Sequence, residues 1–273
     1  MTARQLCGAG KLAQSLARAA ALATTIALAW GSVPVAVADP LTPAVVDDFN
    51  GPEGSPPDPG LWSIDEGSSN DRGWETGSLE TYANAPDNVR LDGQGNLVIE
   101  ARTAPEGFTS GRITTAGNAD FGLGTVSARI RFPSGQGIWP AFWMVGSNID
   151  TVGWPACGEI DIMELINRGD IYHVALHGPQ TLLESSGPIP DLTGDFHTYW
   201  VTRRPGVVTI GVDDSTLAEF TPESLPPGAP WIFDGPMHVL LNTAVGGNWP
   251  GPPNSSTPFP ATMTVDWFRY DPL

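Results

Sequence analysis

The chain has 273 residues, with 13 basic against 30 acidic side chains and a formal charge of −17. That balance argues against nucleic acid or an anionic membrane as a partner. Its 32 glycines and 27 prolines imply frequent turns, and its length suits one all-β domain behind a leader.

The first 38 residues read as a secretory signal. Arg4, Lys11 and Arg18 form a basic start, residues 19–30 a short apolar run, and Ala36-Val37-Ala38 a small-x-small cleavage site before Asp39. The apolar run is too short to span a membrane, as is every later one. The expected product is a secreted chain, 39–273, forming a single domain. Cleavage removes those three basic residues and no acid, so the charge becomes −20 and all ten remaining basic side chains are arginine. Cys7 leaves too, so Cys157 cannot form an internal disulfide. It reads as a small packing residue.

A Pro- and Gly-rich lead-in, 39–59, holds one predicted strand at 45–49. Strand patterns follow at 88–91, 96–102, 110–116, 124–132, 139–145, 159–165, 172–176, 197–202, 207–212, 238–245 and 263–270, each bounded by Gly, Pro, Asn or Asp. Asp92-Gly93-Gln94-Gly95 reads as a tight hairpin. No segment sustains helical periodicity, and 222–227 holds a turn at most. Many short strands at even spacing predict an all-β sandwich or jelly roll of antiparallel sheets.

The run Gly158-Glu159-Ile160-Asp161-Ile162-Met163-Glu164-Leu165 carries the chemistry. Ile160 and Ile162 face one way along a strand, Glu159 and Asp161 the other. Strict alternation would put Glu164 on the apolar side; one extra residue, expected at Met163, returns it to the carboxylate face as a β-bulge. Three acids on one strand face are costly, and two carboxyls held apart in pKa are what glycoside hydrolysis needs.

With Gly137-Ile138-Trp139-Pro140-Ala141-Phe142-Trp143-Met144 and Trp154-Pro155 beside it, this run resembles glycoside hydrolase family 16, in its laminarinase-like branch. The resemblance extends from Asp47-Asp48-Phe49-Asn50-Gly51, through Thr109-Ser110-Gly111-Arg112-Ile113 and Ala244-Val245-Gly246-Gly247-Asn248-Trp249-Pro250-Gly251, to Met263-Thr264-Val265-Asp266-Trp267. It implies a β-jelly-roll with a concave cleft and a monomeric endo-β-1,3-glucanase that retains anomeric configuration and needs no cofactor for catalysis. It further implies Glu159 as nucleophile, Glu164 as general acid/base, and Asp161 as the residue orienting the nucleophile. The partner would be a β-glucan polysaccharide. A mixed-linkage glucanase or β-galactanase of the same family, or a non-catalytic glucan-binding protein, are the competing readings. The chain departs from the family at Ser78 and Glu80, where many members place groups that touch sugar.

By the same resemblance Trp139 and Trp154 flank the scissile bond, with stacking on sugar weighed against core packing. Trp143 shares a strand face with Trp139 and would point into the same cleft. Trp249 and Trp267 are expected to pack. His177 is placed near Glu164, against the alternative of an ordinary loop histidine, and Asn242 is a candidate sugar ligand on a cleft strand. The histidines lack metal-ligand spacing, which disfavours zinc as a cofactor. Many family members bind a structural calcium on the convex face. Here its ligands would be Asp266 and backbone carbonyls, Gly93 among them, against the alternative that Asp266 caps a strand end.

Overall fold

The computed structural model describes residues 44–68 and 76–273, all within one compact unit, Pro40–Leu273. The expected leader, 1–38, lies outside the described residues. Two sheets form the body. The smaller runs, in spatial order, Thr181–Pro188, Ile171–Gly178, Glu159–Glu164, Ile138–Gly146, Met237–Val245, Arg112–Thr114, Ser63–Ile64. The larger runs Ser215–Phe220, Val207–Val212, His197–Arg204, Gly124–Arg131, Ala261–Pro272, Leu97–Ala104, Gly107–Ser110, Glu80–Tyr82, with Val45–Asp47 and Val89–Leu91 attached beside it. The pairings are antiparallel except that of Glu80–Tyr82 with Gly107–Ser110. Among the described residues the helical segments are a single turn, Ile149–Val152, and a 3-10 turn, Pro222–Ser224. The expected two-sheet jelly roll is the fold observed.

Alternation along the strands builds the core between the sheets. Phe142, Met144, Ile160 and Leu241 point inward from the smaller sheet and meet Ile99, Ile130, Met263 and Phe268 from the larger. Truncating a fully buried ring such as Phe142 to alanine costs about 3–5 kcal/mol. The opposite face of the smaller sheet carries Ala141, Trp143 and Val145 together with Glu159, Asp161 and Asn242, so it mixes polar and apolar groups where the inner face is apolar.

The single strand predicted at 110–116 is two. The chain leaves the larger sheet after Gly107–Ser110 and enters the smaller at Arg112–Thr114. Gly111 marks the crossing: a Cβ there would come within 2.5 Å of Val89 and 2.7 Å of the Asn88 carbonyl, a close approach that only glycine permits.

The side chain of Arg203 is fully buried. Arg203 donates to the carbonyls of Phe121 and Gly122 at 2.5 Å, Gly235 at 2.8 Å and Phe233 at 3.3 Å. Burial draws its pKa down to about 10, which still leaves it charged at neutral pH.

Candidate active site

The site is built by a break in strand register. Against Ile138–Gly146, Glu159 pairs with Val145, Ile160 with Met144 and Asp161 with Trp143; then Met163 pairs with Phe142 and Glu164 with Ala141. Ile162 is therefore the residue in excess. Against Ile171–Gly178, Asp161 faces Ala175 and Glu164 faces His173, leaving Ile162 and Met163 together opposite Val174. Both of these side chains are fully buried. The expected bulge is present, shifted one position toward Ile162, and its effect is the one anticipated: Glu164 shares the outward face with Glu159 and Asp161.

Each outer glutamate is held by an indole. Trp154 donates Nε1–H to Glu159 Oε2 at 3.1 Å, and Trp139 donates Nε1–H to Glu164 Oε1 at 2.8 Å. His177 lies across the strand pair from Glu159, its Nε2 3.0 Å from Asp161 Oδ2 and 3.7 Å from Glu159 Oε1. Sequence reasoning set it near Glu164; antiparallel register sets it beside Glu159 instead, and His173 beside Glu164.

Burial, followed by the negative charges of Asp161 and Glu164, lifts the Glu159 carboxyl well above the usual range, while the Trp154 hydrogen bond opposes this. Burial and then Asp161 lift Glu164 likewise, with the Trp139 hydrogen bond opposing. Like charges on one strand face favour a proton on one of the two carboxyls. His177 stands beside Glu159, whereas among the described residues Glu164 has no ion-pair partner. For His177, burial depresses the imidazolium, but Asp161 and then Glu184 override it and the net displacement is upward. Cys157 is inert: burial and the Glu159 charge push its thiol up to about 11.

The carboxylates lie in a cleft of roughly 480 Å³ lined also by Trp139, Trp143, Trp154, His177, Asn242 and Trp249. Trp154 and Trp249 are 43% and 42% exposed. Trp143 is buried and forms floor rather than wall; its Nε1–H donates to Asn242 Oδ1 at 2.8 Å. Asn242 in turn donates to Tyr82 Oη at 3.1 Å. The Arg112 guanidinium lies 4.5 Å from the Tyr82 ring centre and 2.8 Å from Asp65. This chain stiffens the floor of the cleft and was not foreseen, because its members are scattered from 65 to 242. Trp249, expected to pack, instead stands at the cleft with its ring edge-on to Trp139 at 5.3 Å and His173 at 4.6 Å. The turn Gly246-Gly247 that carries it, with both residues at positive φ, was the available signal.

Glu80 and Ser78 are buried and bonded to one another at 3.0 Å, and Glu80 Oε2 accepts from the Val245 amide at 2.8 Å. They pin the strand beneath Trp249 rather than facing the cleft. Asp266 does not cap a strand end. It sits mid-strand at a register shift between Val265 and Trp267, with Oδ2 2.6 Å from Arg129 Nη1. Gly93 occupies the tip of the Asp92–Asn96 hairpin at φ 76°. The Asp266 carboxylate thus already serves a guanidinium, and the six to eight oxygens that calcium takes would have to come largely from other groups.

The sequence matches the family model described as glycosyl hydrolases family 16 over residues 78–269. It is 39% identical over 232 residues to a β-glucanase of Rhodothermus marinus, covering 78% of this chain and 79% of that one. It is 31% identical to glucan endo-1,3-β-glucosidase A1 of Niallia circulans, spanning 86% of this chain but 39% of that longer protein. Among solved structures, the endo-β-1,3-glucanase of Pyrococcus furiosus superposes with a TM-score of 0.75 at 39% identity, over 84% of this chain and 94% of that one.

Proposed function

The chain belongs to glycosyl hydrolases family 16 and is a glycoside hydrolase, and on that premise we propose that it cleaves internal β-1,3 bonds of laminarin-type glucans with retention. Relatives named as endo-β-1,3-glucanases support the substrate class. The observation that carries the mechanism is the bulge: it puts Glu159 and Glu164 on one face with Asp161 between them.

In the first displacement the Glu159 carboxylate attacks the anomeric carbon while Glu164 gives its proton to the departing glycosidic oxygen. In the second, Glu164, now a carboxylate, takes a proton from water, which displaces Glu159. Asp161 stabilises the protonated form of Glu164 by charge, and Trp154 holds Glu159 in line. Trp249 and Trp154 offer exposed ring faces to sugar, and Trp139 walls the subsite between the carboxyls and Trp249. The leader-like segment, 1–38, supports export.

Glu159→Ala tests the assignment. Cleavage of laminarin should fall by roughly 10⁴-fold or more while the fold persists, and azide should restore turnover as a glycosyl azide of inverted configuration. Substantial unrescued activity sinks it. Comparing laminarin, lichenan, agarose and cellulose with the wild type fixes the linkage; glucose release without loss of viscosity contradicts endo attack.

A further inference from the structure

Glu159, Asp161 and His177 each present one ligand atom, and these atoms lie within 4.8 Å of one another. Asp161 is 4% exposed, and its Oδ2 accepts no hydrogen bond of good geometry although His177 Nε2 is 3.0 Å away. Glu159 is held by Trp154 through Oε2, which leaves Oε1 turned toward His177 at 3.7 Å. The two separations measured from His177, 3.0 and 3.7 Å, bracket the edge of a tetrahedron built on metal–ligand bonds of about 2.0–2.1 Å, which is roughly 3.3 Å.

We propose that these three side chains form a binding site for a late first-row divalent cation, zinc foremost, and that its occupation reversibly inhibits the enzyme. One imidazole and two carboxylates are the donor set that suits zinc, copper or nickel rather than calcium or magnesium, which take oxygen shells. Two carboxylate charges match the charge of the ion, and the ion would satisfy the unbonded oxygen of Asp161. The cleft supplies both the route in and a fourth position for water or a sugar hydroxyl. The inhibitory half rests on the reading of Glu159 as nucleophile: a coordinated carboxylate cannot attack an anomeric carbon. The binding half does not depend on it.

The test uses the full folded chain, freed of metal by chelator and titrated with zinc chloride in a calorimeter, and separately with cobalt(II) in a spectrophotometer. Expected are one zinc per chain and a visible cobalt band of tetrahedral intensity that zinc abolishes. His177→Gln should weaken zinc binding by roughly tenfold or more, while Glu164→Gln, outside the donor set, should bind as wild type does. Should His177→Gln fail to fold, Asp161→Asn serves in its place. Equal affinity in wild type and the donor variant, or no saturable binding in wild type at millimolar zinc, overturns the site. Zinc should also suppress laminarin hydrolysis and EDTA restore it; saturated protein with full activity overturns the inhibition. A chain that binds zinc but never cleaves laminarin refutes the proposed substrate and leaves the site standing.

Discussion

Trp139 donates its indole N–H to Glu164 Oε1 at 2.8 Å, so the ring that walls the cleft also stabilises the ionised form of the acid beside it. Trp139→Phe keeps most of the ring and removes the donor. The Glu164 carboxyl, already raised by burial and by Asp161, should rise further. The basic limb of kcat/KM against pH, set by loss of that proton, should move to higher pH. A limb that stays in place or moves down would detach Trp139 from the acid.

Asp161→Asn should act in the opposite sense. Asp161 is the charge that, after burial, holds the Glu164 proton. Neutralising it should bring the basic limb to lower pH and slow the reaction, since Asp161 also lies against His177. The same pH profile checks this, and an unchanged limb would confine Asp161 to a steric role.

Inserting an alanine between Met163 and Glu164 should move Glu164 one place along Ile138–Gly146, from opposite Ala141 to opposite Pro140, and so turn it from the cleft to the core. An unpaired buried carboxylate costs about 3–5 kcal/mol, which in a domain of this size lowers Tm by roughly 6–20 °C. Calorimetry and a laminarin assay should find a less stable, inactive protein. A folded insertion variant with wild-type turnover would remove the register from the argument.

The site also sets a pH dependence of stability. Glu159, Glu164 and Glu80 all have folded pKa values raised above their ordinary range, with burial the leading cause. A raised folded value means that the native state holds its protons more tightly than the unfolded one. The stability this contributes is full below the ordinary value of 4.5 and is lost as pH climbs through the raised values. The wild type should therefore melt at a lower temperature at pH 8 than at pH 5.5. Glu164→Gln should reduce that difference and be the more stable protein at pH 8, at the expense of activity. Parallel melting curves for the two proteins would settle it; equal slopes would mean that burial of Glu164 is not felt by the fold.

Legibility in the sequence followed burial. Inner strands such as Met237–Val245 and Ile138–Gly146 carry dense apolar runs and were readable. The edge strands Thr181–Pro188 and Ser215–Phe220 escaped detection because both their faces are partly exposed, so neither alternation nor a hydrophobic run marks them. The three carboxylates were legible because acids among β-branched residues violate the pattern of an ordinary strand. The exact bulge position was not: Ile162 and Met163 are both apolar and both inward, and only the register against Phe142 distinguishes them. His177 was assigned to the wrong glutamate for a related reason. Its partner depends on how far the neighbouring strand is offset, which the hairpin from 165 to 170 decides. Trp249 was misjudged because its environment comes from Trp139 and His173, distant in sequence.

The seat of Arg203 has a consequence for how the molecule breathes. Its four carbonyl partners belong to the segment leading into Gly124–Arg131 of one sheet and to the segment leading into Met237–Val245 of the other. Phe121 and Met237 further exchange backbone hydrogen bonds at 2.8 and 3.0 Å. Neither segment can fray while the guanidinium stays in place, because opening one strands buried donors of the same side chain. The amides of Phe121 and Met237 should then exchange with deuterium only when both layers part, as members of one cooperative unit. Because the acceptors are neutral carbonyls, added salt should leave that slow exchange almost unchanged.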